Sequence, residues 1–185
     1  MTDVSRRAFL AAAGAGAAAI WLTAESRDVI AASRHAMQAT RFQVLSGADA
    51  ADLEAATSQI VPTDDTPGAR EARVVYFIDR ALATFAKDQK KSVESGLKEL
   101  RKRAAKQVRG AKSFAALPND KQIAVIASME KDKHEFFFAL RYMTIAGMLS
   151  NPEYGGNYNK TGWKWIGFDD RFSWATPFGW YDRNA

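Results

Sequence analysis

Apolar residues recur at intervals of three and four from Ser46 to Leu149, a spacing that predicts helices rather than strands. Ser46 offers an N-cap, and Leu53, Ala56 and Ile60 follow on one face. That helix has to end before Pro62, whose ring pushes Val61 out of the α region. A second helix is predicted from Ala69 to Phe85, with Val74, Phe77, Ile78, Ala81, Leu82 and Phe85 as its apolar stripe. A third, from Lys91 to Arg109, carries Val93, Leu97, Leu100, Ala104 and Val108 in one seam, and Gly110 supplies a stop. Beyond the turn at Phe114, Leu117 and Pro118, Asn119 or Asp120 is expected to cap a helix bearing Ile123, Ile126, Ala127 and Glu130. The pattern then predicts unbroken helix through Phe136, Phe137, Phe138, Leu140, Met143 and Ile145 to Leu149.

After Asn151-Pro152 helical periodicity ends, and glycine and aromatic residues dominate to the C-terminus. No alternating run of strand length and no internal repeat interrupts the helical pattern. The fold class is therefore mainly α: an irregular helical bundle with a glycine- and aromatic-rich, largely non-helical C-terminal segment. The expected division is a targeting segment and linker over 1–40, a helical domain over 41–168 and an aromatic tail over 169–185. With 47% apolar and 25% charged residues, the chain has the material for one real core.

The N-terminus reads as an export signal. Ser5, Arg6, Arg7, Phe9 and Leu10 precede an Ala/Gly-rich run, and the pattern resembles the twin-arginine signal of bacteria. The apolar run from Ala8 to Leu22 is shorter than the ~20 residues of a membrane span. The twin-arginine route carries folded proteins, so the expected location is the periplasm, with the translocase a transient partner. The net charge of +5 is concentrated between Lys87 and Lys112. That run fits a solvated helix face, with docking onto an acidic partner or membrane headgroups as the alternative. Nucleic acid is not an expected partner, since the basic run has no interleaved aromatics. The chain has no cysteine, which excludes disulfides, thiolate metal sites and cysteine-ligated clusters.

Two motifs stand out. In the first, Pro62 and Pro67 bracket Thr63, Asp64, Asp65 and Thr66, with Gly68 following. The prolines stiffen both ends, and Asp64, Asp65 or Thr66 is expected to cap the next helix. A rigid loop offered to a partner is the alternative, and two acids fall short of a calcium ligand set. In the second, Asn151-Pro152-Glu153-Tyr154-Gly155-Gly156-Asn157 leads to Gly162-Trp163 and Ile166-Gly167-Phe168. Gly155, Gly156 and Asn157 suit positive φ angles and a specified turn, without the spacing of a phosphate-binding loop. The tail adds Phe172, Trp174, Phe178, Trp180 and Tyr181, residues suited to wrapping the domain or to lying in a partner's groove. His134-Glu135 lacks the nucleophile and the orienting group of a catalytic site, so a structural or surface role is expected. No catalytic, cofactor-binding or metal-ligating residue is assigned; the alternatives are a hydrolase using Asp64 or Asp65 with His134, or a small periplasmic ligand- or metal-binding module.

Ile60 to Ala69, then Phe77-Ile78-Asp79, then Asn151 to Asn157 with Gly162-Trp163 and Ile166-Gly167-Phe168 resemble the gluconate 2-dehydrogenase subunit 3 family. The resemblance runs from Leu45 to Phe168. It implies the small, or gamma, subunit of a flavin-dependent sugar or sugar-acid dehydrogenase, periplasmic or membrane-associated. The FAD and the substrate site would then belong to a separate, larger subunit of the glucose–methanol–choline type, often with a cytochrome c subunit to take the electrons. The small subunit would hold no cofactor, supply the export signal and stabilise its partner. The family brings no catalytic residues. It implies only that Pro62 to Gly68 and Tyr154 to Asn157, with Trp163, Gly167 and Phe168, shape the fold and the contact surface.

Overall fold

A computed structural model describes residues 41–171. Arg6, Arg7 and the rest of the export signal, and Trp174 and Trp180 of the tail, lie outside the described residues. Six α-helices make up the described part: α1 (Gly47–Ile60), α2 (Val74–Ala83), α3 (Lys90–Gln107), α4 (Asn119–Lys131), α5 (Glu135–Leu149) and α6 (Thr161–Trp165). No strand occurs among these residues, so the all-helical reading holds. Three short 3-10 turns, Lys87–Gln89, Pro152–Tyr154 and Tyr158–Lys160, bend the connections.

The first helix begins as its sequence requires. The Ser46 hydroxyl accepts from the Asp49 N–H at 3.1 Å, and Val61, ahead of Pro62, ends the element. Its alanine-rich inner face lets neighbours approach closely, with Ala50, Leu53 and Ala56 buried. Almost every residue of α2 is buried, which makes it the central element. It packs on α1 and α5, while α3 and α4 pair beside them. The seam of α3 buries Val93, Leu97, Leu100 and Ala104 as expected, but Val108 ends the helix and is exposed.

Three helix boundaries differ from the periodicity. α2 starts at Val74 rather than Ala69, because Arg73 takes a left-handed conformation (φ 54°) and the Val74 N–H reaches back to the Ala69 carbonyl. α4 is capped by neither Asn119 nor Asp120; it begins after Pro118 without a side-chain cap, and Ile123 faces outward. The long helix predicted to reach Leu149 is two helices. Lys133 is left-handed (φ 51°), its N–H donates to Glu130, and the His134 N–H donates to Met129, a Schellman ending with lysine where glycine is usual. His134 then caps α5, its Nδ1 accepting from the Phe136 N–H at 3.2 Å. The structural role expected for His134 is therefore a defined one.

The packing of α3 on α5 requires Gly96. A Cβ there would lie 2.0 Å from the Phe136 ring, so glycine makes the room the ring fills. Gly96→Ala is expected to lower the unfolding free energy by about 1–3 kcal/mol, the usual cost of overpacking. Shrinking the ring with Phe136→Leu should recover part of that loss in the double variant. Urea titration of the four proteins of this cycle checks it, and simple additivity would refute the contact.

Candidate functional site

The first motif folds into a closed loop between α1 and α2. Asp64 does not cap the following helix as expected. Its Oδ1 accepts from the Thr66 N–H at 2.8 Å and from the Thr66 hydroxyl at 2.9 Å, forming a local Asx turn. These two bonds hold the Asp64 carboxyl below the usual carboxylate range. Asp65 and Thr66 do not cap α2 either, whose first turn has no side-chain cap. The binding oxygen comes instead from Glu71, which accepts from the Thr63 hydroxyl at 2.7 Å and the Gly68 N–H at 2.8 Å. Gly68 is buried against the start of its own loop: a Cβ would lie 2.6 Å from the Val61 oxygen. Pro62, Thr63, Asp64, Asp65 and Pro67 are all exposed on the outside of this loop.

The second motif is organised by one side chain. Asn157 is fully buried and left-handed (φ 46°), and every polar group it owns is used. Its N–H donates to Gly147 at 2.7 Å, its Nδ2 to Ser150 at 2.9 Å, and its Oδ1 accepts from Gly162 at 2.8 Å and Trp163 at 3.4 Å. Asn157 thus fastens the end of α5 to the start of α6. The Trp163 indole N–H adds a bond to the Leu149 carbonyl at 2.8 Å, and its ring packs on Phe168 with centroids 5.0 Å apart. The expectation of positive φ holds for Gly155 (96°) and Asn157 but not for Gly156. Gly156 is small for a different reason, since a Cβ would meet the Gly147 oxygen at 2.2 Å. Gly167 is left-handed (φ 68°) in the turn after α6.

The motifs meet over α2. The Tyr158 N–H donates to Ala72, in the turn that follows the first motif, and the Arg73 guanidinium lies 3.8 Å from the Tyr158 ring centroid. Gly155 sits above Tyr76 and Arg80; a Cβ there would be 3.3 Å from the Tyr76 oxygen and 3.4 Å from Arg80 Cγ.

Beneath them lies a pair whose role sequence reasoning missed. Asp79 and Arg80 are 0% and 1% exposed and form an ion pair at 2.9 Å. Asp79 also accepts from the backbone N–H groups of Gln43 (2.8 Å), Val44 (3.0 Å) and Leu45 (3.0 Å). Arg80 donates to the Arg41 carbonyl at 3.2 Å. The irregular segment from Phe42 to Leu45 is thereby pinned along α2, with Phe42 stacked on Tyr76 at 4.9 Å. A signal was available: one acid and one base inside the otherwise apolar run from Val74 to Ala83. A second buried acid, Asp52, accepts from Arg101 Nε at 2.7 Å, the Ser113 hydroxyl at 2.7 Å and the Ala115 N–H at 2.9 Å, tying α1 to α3 and to the loop before α4.

Among the described residues no three of His, Asp and Glu gather closely enough to hold a metal ion. His134 and Asp64 make separate local hydrogen bonds and none with each other. Asp64, Asp65, Pro62 and Pro67 remain available as a contact surface.

Removing Asp79 would leave Arg80 charged, buried and unpaired, together with three unsatisfied amides. Asp79→Ala is therefore expected to cost about 3–5 kcal/mol of stability, measured by urea unfolding; a loss below about 1 kcal/mol would show the pair to be dispensable. Glu71 is more exposed, and the Thr63 hydroxyl foremost, with the Gly68 amide, lowers its pKa. A carboxyl depressed in the folded state stabilises above its unfolded pKa, and that contribution fades as pH falls through the folded value. Glu71→Gln should flatten the acid limb of the stability curve while changing neutral-pH stability by no more than about 1 kcal/mol. An unchanged acid limb would contradict this.

Residues 48–170 match a family model described as gluconate 2-dehydrogenase subunit 3. No curated protein and no solved structure matches the chain. The matched stretch takes in α1 from its second residue, α2 to α6, both motif loops, the Asp79–Arg80 pair and Asn157. On that evidence the chain belongs to the gluconate 2-dehydrogenase subunit 3 family.

Proposed function

We propose that this chain is the non-catalytic small subunit of a periplasmic, FAD-dependent sugar or sugar-acid dehydrogenase, and that it escorts and stabilises the larger flavoprotein. The observation that carries the reading is the match of residues 48–170 to a family of dehydrogenase subunits. Family membership makes the chain an accessory subunit of a dehydrogenase complex. The particular partner, of the glucose–methanol–choline type, follows from the resemblance alone, as does a cytochrome c subunit as electron acceptor.

Two features support the finer reading. The polar atoms of Asn157, Asp79 and Glu71 are engaged in holding irregular backbone in place, which is what a rigid contact surface requires. Ser5, Arg6, Arg7, Phe9 and Leu10 resemble a signal for export in the folded state. A chain with that signal and a binding surface would carry its loaded partner along, and the FAD that the resemblance implies would sit in that partner.

Expression of the tagged chain with the larger flavoprotein encoded beside it should yield a yellow complex from the periplasm. With Arg6→Lys/Arg7→Lys, both proteins should remain in the cytoplasm. A colourless, lone small chain would contradict the subunit role. Active flavoprotein reaching the periplasm without this chain would contradict the escort role.

A further inference from the structure

Helix α5 carries apolar residues on its exposed side as well as on its buried one, against the usual division of an amphipathic helix. Its inner side, with Phe136, Phe137, Leu140 and Met143, is buried in the core. On its outer side Phe138, Tyr142, Ile145 and Leu149 recur at spacings of four, three and four, so they form one line along the helix. Phe138 and Ile145 are 48% and 44% exposed, and Tyr142 and Leu149 are half-buried. At the end of the line Trp163 bonds to the Leu149 carbonyl, and Trp165 and Ile166 follow it at 52% and 53% exposure.

We infer that this ridge is the face by which the chain seats in an apolar groove of the larger dehydrogenase subunit, a groove bearing carboxylates at its rim. The inference rests on the function proposed above and adds the place of contact. Phe138, Ile145, Trp165 and Ile166, each about half exposed, leave roughly 400 Å² of apolar surface in water. Summed over these four side chains, that is about half of what one partner gives to a stable interface. The ridge is thus sized as the centre of such an interface, with a polar rim around it. Two cations supply part of that rim: Arg141, within the ridge's length, and Lys164, beside Trp165, are exposed and form no ion pair among the described residues. Carboxylates on the partner would complement them and set the register.

The test is quantitative capture of the co-expressed flavoprotein by tagged wild-type chain, Ile145→Lys, Phe138→Asp and the control Lys98→Glu on the exposed face of α3. Ile145→Lys and Phe138→Asp should each retain at least tenfold less flavin absorbance than wild type, with the thermal unfolding midpoint of the isolated chain unchanged; Lys98→Glu should retain as much as wild type. Full capture by both ridge variants would overturn the ridge as the contact face while leaving the subunit role standing. No capture by wild type would overturn the subunit role and the ridge with it. A lowered midpoint with full capture would assign the ridge to residues 172–185 of the chain itself, and a wild-type homodimer that Ile145→Lys dissociates, again with full capture, would assign it to a second copy. If Phe138→Asp fails to fold, Ile145→Lys alone decides.

Discussion

The described domain depends on a buried charge pair. Asp79 and Arg80 sit in the middle of the most buried helix, where ions are stable only if nearly every lone pair and proton is engaged. Asp79 meets that demand by taking three consecutive amides and its neighbour's guanidinium; Arg80 meets it in part, through Asp79 and the Arg41 carbonyl, while its buried Nε has no hydrogen-bond partner. The consequence is that the chain entering the domain has one path along α2. With that strap in place, Phe42 stacks on Tyr76, and Gly155 lies against the Tyr76 backbone and Arg80 Cγ. An aliphatic pair could fill the same volume, but it could not hold backbone amides in an irregular segment.

The same solution recurs elsewhere in the fold. Segments without regular structure are fixed by one polar side chain that takes several hydrogen bonds, at least one of them from backbone: Asn157 for the junction of α5 and α6, Asp52 for the approach to α4, Glu71 for the proline loop. Glycines then let these segments lie directly on helices, as Gly156 does against Gly147 and Gly162 against the Met148 carbonyl. A mostly helical domain thereby carries rigid irregular loops on its surface. Such a surface fits the contact role proposed for the chain.

Much of this was legible in the residues. Ser46 and the Val61-Pro62 pair bound α1, and the seam of α3 follows its three- and four-residue spacing. The glycine-rich motif was legible as a specified turn, with positive φ expected at Gly155, Gly156 and Asn157 and found at the first and the last. What stayed hidden has physical causes. The ending of α4 uses Lys133 in a conformation whose sequence signal is glycine, and His134 is an unusual cap, so nothing in the periodicity marks the break. The capping role given to Asp64, Asp65 or Thr66 failed because Asp64 closes on Thr66 before the helix begins. Asp79 and Arg80 were visible as charges in an apolar run, but their partners are backbone groups more than thirty positions away, which local pattern does not register.

The claim that the Asp79–Arg80 pair holds the entering strap is tested most directly by amide hydrogen exchange at Gln43, Val44 and Leu45. These three amides should exchange only with global unfolding, at the protection of the α2 core amides. Exchange at the rate of an unstructured peptide, while α2 stays protected, would show that the strap is not held and that the pair does not organise the domain.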